Sequence, residues 1–381
     1  MGNIVDYVKK YRTKSFKEKK LCDVDMLVFS ALAYMDFTEI VNRDRILLND
    51  ALKFFYKMKN KEEFINRGIG QVDIWAMGKE MIDQPRYNSI YLSNYVYKVT
   101  KDEQFSAITM HLPNGFTIVV FEGTDHHIVG WEEDFKMIYQ YPVKAHIDAC
   151  KYLNKTLLSI KDNKIILAGH SKGGHLALAS AMGALFPLCF KIKAIYNFDG
   201  PCLPKDLICL PRYKKFVSKR THHIVPSYTF FGILLKHTPN YEVVKPTINK
   251  FTCHAPTNWY IEDDHFVKER LSKQSVSLNR AINKWLDNHN RNEKKVFCDT
   301  LFKVLKEAEI ENMHTAAKLP NIRKILNSYK ELDKSSKDLI VEFIKINIST
   351  YAKDRITTTA HEVVKNFRKK FGKRGKKNER E

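Results

Sequence analysis

The chain has 381 residues, 44% hydrophobic and 12% aromatic, enough to fill a core, which excludes both a disulfide miniprotein and wholesale disorder. Its 64 Lys and Arg stand against 43 Asp and Glu, a net +21. That balance attracts polyanions, whether nucleic acid, anionic membrane or acidic substrate, and does not choose among them.

Residues 1–20 are basic and read as a short lead-in. The first ten meet charge before any apolar stretch long enough for a signal peptide. Asp6 stands where myristoylation at Gly2 would want Ser or Thr. From Asp23, Val24, Met26, Leu27, Phe29, Leu32 and Met35 fall at helical spacing, and a second helix covers about Leu48–Lys59. Strand-like runs follow at Asn94–Thr100, Phe105–Leu112 and Phe116–Phe121, the last two joined by Pro113-Asn114-Gly115, a hairpin signal. Pro142–Leu158 is helical, Lys164–Ala168 a short strand, Gly174–Phe186 a helix and Ile192–Phe198 a strand. Phe216–Ile224 is a further strand candidate. Strands alternating with helices predict an α/β fold with a mostly parallel sheet.

Past about Asp264 glycine nearly vanishes, and charged helical patterns cover 275–289, 295–313, 322–332 and 337–347. The expected organisation is an α/β domain over 1–270, a helical C-terminal region over 271–364 and a tail over 365–381. That tail holds nine Lys or Arg and two Glu, and reads as disordered. Gly173–Phe190 is the least charged run, but its glycines, His175 and Pro187 make it a buried helix and no membrane span. Seven cysteines without a CxxC pair read as reduced thiols, which with the absent signal peptide places the chain in the cytoplasm.

Gly169-His170-Ser171-Lys172-Gly173 fits G-x-S-x-G, a pattern expected roughly 0.03 times in a shuffled chain of this composition. A short apolar strand enters it and an Ala/Leu-rich helix leaves it, the context a nucleophile elbow needs. Ser171 is therefore the candidate nucleophile. The backbone N–H of Lys172, next in the chain, suits one oxyanion donor. Thr124, in Phe121-Glu122-Gly123-Thr124-Asp125 at the end of an earlier strand, offers both N–H and hydroxyl for the other. Phe231, Leu234 and Leu235 belong to an apolar run that suits an acyl-pocket wall, a lid or plain core. The pairs His126-His127 and His222-His223 suggest metal ligands, but adjacent side chains diverge on most backbones, and no metal is expected.

The ordered series Phe121-Glu-Gly-Thr, Gly130-Trp131, Asp134-Phe135, Gly169-His-Ser-Lys-Gly-Gly174, Phe198-Asp-Gly-Pro201, Ile224-Val-Pro226 and His254-Ala-Pro-Thr-Asn-Trp259 resembles the Mbeg1-like family. So does the opening Asp23–Tyr34 helix, and the resemblance spans roughly residues 1–270. It implies an α/β-hydrolase fold related to class 3 lipases, a bacterial source and a Ser-His-Asp esterase site. Ser171 matches the nucleophile, Thr124 the oxyanion residue, and His254 the base before Pro and Trp. Trp131 and Asp134 match a supporting segment. Asp199 matches the family's F-D-G-P and is the preferred acid, with Asp263 and Asp264 in reserve. Glu122 stands where the family has Arg, which implies loss of a structural ion pair.

The expected function is acyl-ester hydrolysis through an acyl-enzyme, with no cofactor and a small-molecule or lipid acyl substrate. The alternative is a catalytically degenerate hydrolase fold that binds anionic surfaces. Peripheral contact with an anionic membrane fits the charge, and no motif reads nucleic acid specifically.

Overall fold

The computed structural model describes residues 2–351, except 43, 69, 162–163, 236–240, 249–250 and 311–318. The basic tail at 365–381 lies outside the described residues. Eight strands form one sheet: β1 (Ile46–Leu47), β2 (Tyr91–Val99), β3 (Gln104–His111), β4 (Thr117–Phe121), β5 (Ile165–His170), β6 (Ile192–Phe198), β7 (Thr221–Pro226) and β8 (Glu242–Val244). Their order across the sheet is their order in the chain. β1 to β4 pair antiparallel and β4 to β8 parallel, so the strands that carry the site motifs lie in the parallel half. The Asn114-Gly115 hairpin joins β3 to β4, with Gly115 at φ 81°.

The central strands are apolar on both faces because both faces are covered. Val119, Phe121, Ile165, Leu167 and Ile195 face the helices Lys144–Ser159 and Lys172–Met182. The alternate residues Ile118, Val120, Ile166, Ala168 and Phe198 face a second layer built from the N-terminal helices. That layer includes Asp23–Leu32, Leu48–Met58 and Gln71–Lys79.

Two expectations need correction. The first twenty residues are no loose lead-in: Ile4–Tyr11 is a helix with an Asn3/Asp6 capping box, burying Ile4, Val5, Tyr7 and Val8. Their spacing makes one apolar stripe, which the basic composition had masked. The strand expected from Phe216 starts only at Thr221; a wide π-helical turn over Tyr213–Val217 and a 3-10 turn over Ser218–Arg220 precede it, and the Arg220 guanidinium stacks 4.1 Å from the Phe216 ring centre.

Beyond β8 come helices Lys273–Asn288, Arg291–Glu307, Leu319–Lys330 and Lys334–Tyr351. They dock on the Ile128–Lys136 helix through Phe135, whose ring lies 5.4 Å from that of Phe302. None of the helices described is long and apolar enough to cross a membrane. The seven cysteines are all free.

The N-terminal layer is locked by a buried ion pair. Arg86 donates to both carboxylate oxygens of Asp25 and to the carbonyls of Lys14 and Lys19. Removing one partner would leave the other charge buried and unpaired. Asp25→Ala is expected to lower unfolding free energy by about 3–5 kcal/mol in urea titrations, far more than an exposed Asp→Ala change.

Candidate active site

β4, β5 and β6 end at one edge of the sheet, and the turns that follow them carry Thr124, Ser171 and Asp199. Ser171 sits between β5 and its helix at φ 58°, ψ −130°, a conformation a non-glycine residue rarely adopts. Its amide donates to the Phe198 carbonyl at 2.8 Å, tying the turn to β6. A Cβ on Gly169 would lie 2.2 Å from the Gly173 backbone, and one on Gly173 2.1 Å from the Phe121 carbonyl oxygen. Both glycines are therefore steric requirements of the turn.

His254 closes the arrangement. Its Nε2 lies 2.9 Å from Ser171 Oγ and its Nδ1 2.7 Å from Asp199 Oδ2. With Nδ1–H donating to the carboxylate, Nε2 is left to accept the serine proton. Asp199 Oδ1 accepts from the Thr229 hydroxyl and from the Gly232 N–H at 3.1 Å. Burial lowers the His254 imidazole well below its ordinary value, so the ring is neutral at pH 7. Burial also pushes Asp199 up, while Thr229 and Gly232 pull it back toward the carboxylate. Asp263 and Asp264, the reserve acids, are instead tied to Lys10 and Lys19 at the N-terminus.

Beside Ser171 a cavity of about 90 Å³ opens, almost wholly apolar. Phe231, Leu234 and Leu235 line it, as does His175. The Phe231 ring also lies 4.5 Å from that of His254. The opposite wall comes from the C-terminal helices, through Ile282, Leu286, Phe297 and Phe343.

The sequence profile of the Mbeg1-like family matches residues 81–303, more than half of the chain. The chain belongs to the Mbeg1-like family. A comparison with curated proteins finds no match. The matched segment differs from the expected 1–270. It begins after the Asp23–Leu32 helix and runs on through Lys273–Asn288 into Arg291–Glu307, the helices that wall the cavity.

Around the Mbeg1-like motifs, several contacts were hidden in the sequence. His170, just before the nucleophile position, has its Nε2 2.6 Å from the His254 carbonyl oxygen and its Nδ1 2.8 Å from the Tyr34 hydroxyl. Tyr34 thus fixes the tautomer in which His170 donates to the His254 backbone. Thr124 does not offer its hydroxyl to the site, because that group donates to Asp134; its N–H is what remains. The Lys172 side chain is buried and paired with Glu133 at 2.6 Å, donating also to the Gln104 carbonyl at 2.8 Å. Glu133 in turn accepts from the amides of Gln104 and Ala145.

Glu122 instead meets a basic residue from outside the Trp131–Asp134 segment. Arg67 stands 3.8 Å from Glu122 and 3.9 Å from Asp125. Burial still pushes Glu122 up to about 8, against the pull of Arg67. The His126 and His127 rings do not diverge: their centres are 4.0 Å apart, and with Asp125 they form a cluster whose donor atoms lie within 4.8 Å. Asp125 is already occupied by Tyr97, by the His127 ring and by the His127 amide, and Arg67 beside it disfavours a cation.

His175 is part of a buried pair. Its Nε2 lies 2.7 Å from His146 Nε2. The Val143 amide donates to His146 Nδ1, so His146 Nε2–H donates to His175, whose Nδ1–H reaches the Pro201 and Cys202 carbonyls. Every position in that chain is filled only when both rings are neutral. Burial accordingly lowers His175 to about 4, and His146 falls in the same direction. A His whose folded value is depressed destabilises the fold below its unfolded value, because the unfolded chain binds the proton better. Unfolding free energy is therefore expected to fall as pH drops from 6.5 toward 4, by about 3 kcal/mol from His175 alone. Denaturant titrations across that range should show a shallower pH slope in His175→Gln.

Proposed function

We propose that this Mbeg1-like chain is a serine hydrolase that cleaves acyl esters through a covalent acyl-enzyme. The observation that carries the reading is the unbroken line Ser171–His254–Asp199 at 2.9 and 2.7 Å, opening onto an apolar cavity. His254 Nε2 takes the Ser171 proton as Oγ attacks the acyl carbon, and Asp199 stabilises the imidazolium that forms. The N–H groups of Lys172 and Thr124 receive the oxyanion; one such donor is worth about 3 kcal/mol in comparable sites. The imidazolium returns the proton to the leaving alkoxide, and water, activated by the same His254, releases the acid.

The apolar lining favours a hydrocarbon acyl group over a charged or sugar substrate. The degenerate-fold alternative rests on a missing acid, and Asp199 supplies one within reach of His254.

A fluorophosphonate probe should label the wild-type protein at neutral pH and leave Ser171→Ala unlabelled, and that variant should lose at least about 10⁴-fold of ester turnover. Equal labelling of both would remove the proposed nucleophile. Ile282→Trp, which intrudes on the cavity from the C-terminal side, should raise KM for long-chain esters roughly tenfold while short-chain turnover changes less than about twofold.

A further inference from the structure

At the sheet edge opposite Ser171, the segments leading into β5, β6 and β7 meet in one surface. The Lys144–Ser159 helix ends there, and Asn154 joins it to the 183–193 segment: Asn154 Nδ2 donates to the Gly183 carbonyl, and its Oδ1 accepts from the Leu185 amide at 2.8 Å. Lys191 Nζ donates to the Leu157 carbonyl at 2.9 Å. The third segment joins through Phe190, 6.0 Å from the Phe216 ring, and through Arg212, which donates to the Ala184 carbonyl.

This surface exposes large apolar side chains. Phe186 is 75% exposed, Leu158 67%, Phe190 52% and Leu185 49%. The Phe186 and Phe190 rings meet at 5.5 Å, Leu185 adjoins them in the chain, and Leu158 lies one helical turn from Asn154, so the four share one face, the kind of patch that marks an interaction site. Around it stand the exposed cations Lys155, Lys161, Lys193, Lys214, Lys215 and Lys219. The segments 154–164, 183–193 and 205–220 hold eleven Lys or Arg against two acidic residues, Asp162 and Asp206. An apolar centre within a rim of strong net positive charge is complementary to one kind of surface: hydrocarbon beneath anionic headgroups. Aliphatic Leu158 and Leu185 beside the two phenylalanines suit acyl chains better than stacked bases.

We propose that this face docks the protein on an anionic lipid bilayer, with Phe186, Phe190, Leu158 and Leu185 entering the interface and the lysine rim meeting the headgroups. The surface lies at the far end of the elbow helix, about 16 Å along its axis from Ser171. Docking is therefore independent of the reaction proposed above.

The test is co-sedimentation of the full chain with equimolar phosphatidylcholine–phosphatidylserine vesicles and with phosphatidylcholine alone, at low and high salt. Binding is expected only with phosphatidylserine and should weaken with salt. Phe186→Ser/Phe190→Ser should lower the partition coefficient roughly tenfold, and Lys214→Glu/Lys215→Glu should lower it comparably. Both variants should keep the wild-type thermal midpoint and turnover of a soluble short-chain ester, while Ser171→Ala should bind vesicles normally. Wild-type binding by both double variants, as when the basic tail does the binding, would overturn the proposal. So would a loss of self-association, or of single-stranded DNA binding, in the phenylalanine variant of a protein that ignores vesicles.

Discussion

The backbone turn at Ser171 is the constraint on which the rest of the site depends. A non-glycine residue at φ 58° costs of order 1–3 kcal/mol and persists only when its surroundings leave no alternative. Here the surroundings are mostly main chain. The Phe198 carbonyl holds the Ser171 amide, and the backbones at Gly169, Gly173 and Phe121 approach so closely that no side chain fits between them. One residue later the buried Lys172–Glu133 pair nails the first turn of the helix to the Ile128–Lys136 helix and to the start of β3. The amide proposed to meet the oxyanion is thus fixed by the side chain of its own residue.

His254 is held with similar economy. His254 follows β8 on a long excursion, yet its ring is set by Asp199 and its main chain by His170. His170 is oriented by Tyr34, which continues from the Asp23–Leu32 helix on the opposite layer. That helix is anchored by the buried Asp25–Arg86 pair. A continuous line of contacts therefore runs from the N-terminal layer, through the sheet, to the imidazole.

Local patterns made most of the α/β region readable. Alternation and turn residues placed β2 to β6 within a few positions, and the Gly-x-Ser-x-Gly spacing together with the family motifs named Ser171, Asp199 and His254, which the fold brings into contact. What stayed hidden was encoded by distance in the chain. Nothing near Glu122 announces Arg67, nothing near His170 announces Tyr34, and the His146–His175 pair joins residues on two helices. The Thr124 hydroxyl turns to Asp134 in the helix that follows, a partner its own loop does not reveal. At the N-terminus, charge outweighed a short apolar stripe in the composition but not in the fold.

The cavity beside Ser171 has a consequence for how the protein comes into being. Its walls are drawn from residue 134 to residue 343, and the contacts that fix His254 begin at residue 34. A chain emerging from the ribosome can assemble sheet, elbow and imidazole once residue 254 and its neighbours are free, yet still lack Ile282, Leu286, Phe297 and Phe343. For that interval Ser171 would lie beside an open, apolar furrow. Arrival of the helices that carry Ile282 to Phe343, rather than folding of the sheet, marks the moment at which the furrow becomes a chamber.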